Sequence, residues 1–281
     1  MMPPARLVVW LCARQELQLA VRSRWTQTFT AVFAILALAV AASGYVLSGG
    51  SGMQDFARTG ASLVQLVLLL VPLTALVFGV LAITPEAGAA ELIFSQPVAR
   101  KTILAGRFLG VFIALVAAQS IGFGAAGLVL FLRTGQDGLA GFAGIVAGAI
   151  VLTGVFLGIA AVVAAGDAGP RRARNLAAAL VVWFLAVILF DVAALAAASL
   201  LPSGPASRVL MTAAIVNPVG AVRTAVLLLV EGPGAFGAAS LAFLRFTGGT
   251  AGAAVWLAVS IAFWLLSPAI AAIVRLNRAD L

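Results

Sequence analysis

The sequence predicts an all-α integral membrane protein with six transmembrane helices, and three observations predict it. Of its 281 residues 63% are hydrophobic and only 9% charged, too apolar for a soluble domain to cover its own surface. Six stretches are long and apolar enough to cross a hydrocarbon core about 30 Å thick. The basic residues fall in short runs between those stretches, as orientation signals do.

Residues 1–26 read as an N-terminal interfacial helix. Between Ala5 and Trp25, Arg14, Gln18 and Arg22 recur every fourth residue as a polar stripe, with Trp10, Leu17 and Val21 on another side. The first span is Phe29–Leu47. Ala39-Val40-Ala41 has the form of a cleavage site, but the polar segment before it is too long for a signal peptide. The second span, Leu63–Ile83, leads into a connecting segment, residues 85–101. There Thr84 can cap a short helix with Pro85 at its first position and Glu86 near the positive end of its dipole. Ser95-Gln96-Pro97 ends that helix.

The third, fourth and fifth spans are Phe108–Leu132, Leu139–Ala165 and Leu176–Leu201. Residues 202–250 then form a long, apolar segment with short helices of its own. Its twelve residues Val219–Val230 are too few to span, so a re-entrant or interfacial helix is expected, bounded by Asn217-Pro218 and by Gly232-Pro233-Gly234. The sixth span is Ala251–Val274. The whole chain, 1–281, reads as a single membrane domain.

Orientation follows from charge. Arg6, Arg14, Arg22 and Arg24 precede the first span; Arg100, Lys101 and Arg107 lie between the second and third. Arg171, Arg172 and Arg174 lie between the fourth and fifth, and Arg275 and Arg278 follow the sixth. These are alternate loops, so both termini are expected in the cytoplasm. The net charge of +8 is dispersed among them, which argues against a nucleic-acid surface.

Composition excludes much chemistry. The chain has one cysteine, Cys12, and no histidine, so it can hold neither an internal disulfide nor a histidine-based acid–base pair, and no zinc site of ordinary composition. There is no G-x-x-x-x-G-K-[ST] phosphate loop. No cofactor is expected. The chain reads as the membrane part of a machine powered by another subunit.

One acid stands inside a span. Asp191 lies about 24 Å along the fifth helix at 1.5 Å per residue, in the outer part of the membrane rather than at its midplane. An arginine from the outer side (Arg133, Arg208 or Arg223) can pair with it and tie the fifth helix to the outer helices. An outward vestibule and a proton or ion relay are the other two readings, the relay disfavoured because no second acid lies along the way.

The stretch E-L-I-F-S-Q-P-V-A-R-K-T-I-L-A-G-R-F-L-G, Glu91–Gly110, resembles the cytoplasmic signature of type-2 ABC transporter permeases. Their six-helix plan, with short outer helices between the fifth and sixth spans, is the plan already read from the windows. Arg22-Ser23-Arg24-Trp25, Ile121-Gly122-Phe123-Gly124, V-W-F-L-A-V-I-L-F-D and Asn217-Pro218 with Arg223 are similar to the branch that matures nitrous oxide reductase. Two departures stand out. Only Glu86 and Glu91 occupy a place where the family has an acidic cluster, and Val219-Gly220 follow Asn217-Pro218 where an acid is frequent.

The resemblance implies a homodimer in the bacterial inner membrane, in contact with lipid and bound to two copies of a cytoplasmic ATPase. It also implies a periplasmic β-helical partner and a role in assembling the copper–sulfur centre of nitrous oxide reductase. By that resemblance Glu86, Glu91, Arg100 and Lys101 contact the ATPase, with Arg171 and Arg172 as a second contact. Asn217, Pro218 and Glu231 face the periplasmic partner. A copper path through this chain is hard to build, because soft copper takes thiolate, thioether or imidazole ligands and the outer side offers only Met53 and Met211. The alternative class is a general type-2 exporter permease for a lipid, peptide or drug.

Overall fold

The computed structural model describes residues 4–48, 53–84, 99–134, 138–165, 172–232 and 237–278. Among these residues the chain is helical with short connections. We number the helices α1 (Ala5–Arg22), α2 (Arg24–Ser48), α3 (Met53–Ile83), α4 (Arg100–Thr134), α5 (Leu139–Ala164) and α6 (Arg172–Ser199). They are followed by α7 (Ser203–Val216), α8 (Pro218–Glu231), α9 (Ala238–Thr247) and α10 (Thr250–Arg278). Helices α2 to α6 and α10 each contain a stretch long and apolar enough to cross a membrane, six in all.

Helix α5 is the axis of the bundle. It is apolar all round, and 67% of its spanning window is buried, against 6% for α6 at the edge. Glycines let neighbours close on it. A Cβ at Gly148 would lie 2.7 Å from Val226 and 3.1 Å from Val222, and one at Gly144 would lie 3.3 Å from Leu229. Val222, Val226 and Leu229 form one stripe of α8, so the Gly144-x-x-x-Gly148 spacing is where the short helix beds onto the core. Where α2, α4 and α5 meet, Phe33, Phe123 and Phe142 stack edge to face, with centroids 5.2 and 6.0 Å apart. The buried Gln119 amide donates to Thr153 Oγ1 at 3.0 Å and ties α4 to α5, a bond worth about 0.6–2 kcal/mol in a bilayer.

The N-terminal helix ends earlier than the sequence suggests. Ser23 is extended (φ −69°, ψ 124°), so α1 stops at Arg22 and α2 starts at Arg24, well before Phe29. Arg14, Gln18 and Arg22 are exposed, as a polar stripe requires. The inward face is made instead by Cys12, Ala13 and Glu16, pressed against α4. A Cβ at Gly106 would come within 2.5 Å of the Cys12 Cβ, and one at Gly110 within 2.5 Å of the Ala13 carbonyl oxygen. The two helices touch almost backbone to backbone.

Helix α4 likewise begins at Arg100, two turns before the expected Phe108, so its basic first turns continue the span as one rigid rod. The ends of the bundle thus differ. One carries Arg100, Lys101, Arg107, Arg172 and Arg275, and we call it the basic end; the other carries α7, α8 and α9.

Candidate functional site

Two places concentrate polar side chains, and α6 joins them. At the far end, α7 and α8 form a pair bent by 97° at Asn217-Pro218. Proline cannot continue α7, so the carbonyls of its last turn lose their helical partners. In a membrane such groups must be satisfied by protein. Ser260 Oγ of α10 donates to the Ile215 oxygen, and one turn later Trp264 Nε1 donates to the Val216 oxygen at 2.8 Å. Asn217 works in both directions. Its Oδ1 accepts from the Val219 amide at 3.1 Å, capping α8 with Pro218 at the first position, while its Nδ2 donates to the Ala186 oxygen at 2.9 Å.

Ala186 lies within a π-turn, Leu185–Leu189, set in the middle of α6. An extra residue in a helical turn leaves a carbonyl without its ordinary donor, and such turns are frequent at functional places. Two residues beyond the turn stands Asp191. It pairs with Arg223 of α8, one of the three arginines the sequence left open. Both side chains are about a third exposed, at 40% and 32%. They line a cavity of about 420 Å³ between α6, α7, α8 and α9, whose other walls include Leu195, Met211 and Phe243. Glu231, half-buried, closes α8 at Gly232, whose positive φ of 70° suits a residue without a Cβ.

At the basic end, Glu86, Glu91 and Arg171 lie outside the described residues. Arg100 starts α4, Lys101 beside it is exposed, and Arg172 starts α6. The buried Asn175 donates from Nδ2 to Thr84 Oγ1 at 3.4 Å, holding the start of α6 to the end of α3 just before Pro85. Higher up, Trp183 Nε1 donates to the Leu69 oxygen at 3.1 Å, beside the turn that Pro72 opens in α3. Helices α3 and α6 are therefore bolted at two levels.

A third cluster escaped the sequence reading. Arg107 Nε lies 3.4 Å from Glu16 Oε1, and Arg107 Nη1 donates to the Ala82 oxygen at 3.2 Å. One guanidinium thus links α1, α4 and the end of α3. Burial pushes the Glu16 carboxyl above the ordinary carboxylate range, and the Arg107 charge pulls it part of the way back. A lone acid in a basic N-terminal segment was the available signal.

Among the described residues no group of three or more His, Cys, Asp or Glu side chains is placed to hold a metal ion. The arrangement is a bent pair at the far end, held to α6 and α10 by side-chain bonds, and a basic end where α3, α4 and α6 meet.

Residues 10–281 match the family described as ABC-2 family transporter protein. The chain belongs to that family. It is a multi-pass membrane permease, the subunit of an ABC transporter that associates with an ATP-binding subunit. The permease is similar to a protein of Pseudomonas aeruginosa described as "Probable ABC transporter permease protein NosY", with 31% identity over 260 residues, 90% of this chain and 93% of that one. A protein of Stutzerimonas stutzeri with the same description is 35% identical over 240 residues, 83% of this chain and 86% of that one.

Proposed function

We propose that this permease couples cytoplasmic ATP hydrolysis to a periplasmic partner in assembling the copper–sulfur centre of nitrous oxide reductase. The observation that carries the proposal is the similarity, along most of the chain, to two permeases described as NosY. The functional unit in this reading is a homodimer with two ATPase subunits, its basic end in the cytoplasm and α7–α8 facing a β-helical periplasmic protein. The chain itself performs no bond chemistry.

The bonding pattern supports a route for the stroke. The segment 85–101, with Glu86, Glu91, Arg100 and Lys101, receives the push from the ATPase, and Arg171 and Arg172 receive a second one. Both segments feed into α3 and α6, which Asn175 and Trp183 hold together. Helix α6 then acts on the outer pair through two fixings, Ala186 to Asn217 and Asp191 to Arg223. Asn217 and Pro218 are buried at the bend, so instead of touching the partner as expected they set the angle of the α7–α8 pair, and half-buried Glu231 at the end of α8 is the one of the three left to face the partner. Copper is handled in this reading by the partner and the reductase: the single cysteine packs against α4 at the basic end, and among the described residues lining its cavity Met211 has no second soft ligand.

The composition of the purified assembly tests this reading. Affinity-tagged permease should bring down the ATPase in equal number and the periplasmic β-helical protein. A chain lacking Val219–Val230 should keep the ATPase and release the periplasmic protein. Retention of that protein by the deletion, or stoichiometric copper on the permease alone, contradicts the proposal.

A further inference from the structure

A second cavity, of about 220 Å³, lies at the basic end, where the α1–α2 elbow meets α3, α4 and the start of α6. Its walls mix two kinds of surface. Phe78 and Leu81 are apolar, whereas Glu16, Ser23, Thr26 and Arg172 are polar or charged. One of these groups is out of place. Thr26 is only 7% exposed, and among the described residues its hydroxyl has no hydrogen-bond partner. Four other helical threonines behave differently: Thr30, Thr74, Thr153 and Thr247 each donate to the carbonyl four residues earlier, at 2.8–2.9 Å. Thr26 cannot, because it sits in the first turn of α2 behind the extended Ser23. A buried hydroxyl without a partner on a cavity wall marks a place for a ligand atom.

Glu16 gives that atom its character. Among the described residues its one ion pair is the 3.4 Å approach to Arg107 Nε, and a carboxylate can accept about four hydrogen bonds. Burial raises its pKa, the signature of a carboxylate short of compensating donors. The fitting group is a compact cation with several N–H donors. Its setting is the level of lipid headgroups: Trp25 on the rim is 76% exposed and Trp10 on α1 is 59% exposed, as aromatic residues are at the membrane–water boundary. Beyond the rim, residues 176–190 of α6 are all apolar or aromatic, with Val181 57% and Phe184 47% exposed. Arg172 on the same wall suits a phosphate.

We propose that this elbow cavity seats the ethanolamine head of a phospholipid from the leaflet bordering the basic end. Its ammonium donates to Glu16 and to Thr26 Oγ1, its phosphate faces Arg172, and its acyl chains lie along α6. A choline head has no N–H to donate and cannot satisfy either acceptor. An anionic glycerol head brings no cation to Glu16. The site is independent of what the transporter carries.

The test is lipid titration of the delipidated, full-length permease in detergent, read by thermal unfolding. Phosphatidylethanolamine should bind about tenfold more tightly than phosphatidylcholine, the scale of one charge-assisted hydrogen bond. The N-methylated and N,N-dimethylated heads should fall between them in order. Thr26→Val and Glu16→Gln should each erase the preference, while Ser207→Ala, in the far-end cavity, should keep it. Equal binding of the two lipids, a preference for phosphatidylglycerol, or a preference surviving in Thr26→Val overturns the proposal. Should Glu16→Gln fail to fold, Thr26→Val, which keeps the side-chain shape, decides alone.

Discussion

Replacing Asp191 by asparagine keeps the side-chain shape and removes the charge that faces Arg223. The size of the effect follows from where the pair stands. Exposed ion pairs contribute about 0.2–1 kcal/mol, whereas breaking a fully buried pair costs about 3–5 kcal/mol. This pair is about a third exposed, and its arginine already has a buried Nε without a partner. We therefore expect Asp191→Asn to cost about 1–2 kcal/mol, between those limits. Arg223→Gln should cost a similar amount. The double variant should lose less than the sum, with a coupling of about 1 kcal/mol, because no lone charge remains. The assay is equilibrium unfolding in mixed micelles, followed by far-ultraviolet circular dichroism. Additivity to within about 0.3–0.5 kcal/mol refutes the structural role of the pair. Unchanged stability with abolished transporter function would move Asp191 to the cavity as a path-lining group.

Three other outcomes are expected. Asn217→Ala removes a helix cap and leaves the Ala186 carbonyl without its donor, so it should cost about 2–3 kcal/mol; Asn217→Ser keeps an oxygen to cap α8 and should cost less, whereas Asn217→Asp sets a buried carboxylate against the Ala186 oxygen and should cost at least as much as alanine, all measured by the same unfolding curves. Gly106→Val drives a methyl-bearing carbon toward the Cys12 Cβ and the Val9 oxygen, an overpacking of about 1–3 kcal/mol, and should speed maleimide labelling of Cys12 by loosening α1. Reversing the charges at Glu86 and Glu91 together should reduce copurification of the ATPase subunit, and an unchanged yield removes the coupling role proposed for that segment.

Most of the architecture was legible because the membrane enforces it. A span must be long and apolar, so α2 to α6 and α10 announce themselves, and Asn217-Pro218 and Gly232 mark α8 because proline and glycine act locally. The π-turn did not announce itself. Leu185–Leu189 has neither proline nor glycine, and the turn is recognised only once Asn217 is seen bonded to Ala186. The partner of Asp191 stayed among three arginines for the same reason: a tertiary approach leaves no spacing in the chain. Glu16 and Arg107 are far apart in sequence, and Gly106-x-x-x-Gly110 is one of many such spacings in a glycine-rich chain. Close helix approach depends on what lies opposite, which the pattern of small residues alone does not specify.

The most direct test of the proposed function is the copper–sulfur centre of nitrous oxide reductase in a host deleted for this gene. The proposal expects exported reductase that lacks the centre by spectroscopy and metal analysis, restored by the wild-type permease. A reductase with a complete centre and full activity in the deletion strain would contradict it and leave an exporter for a different cargo.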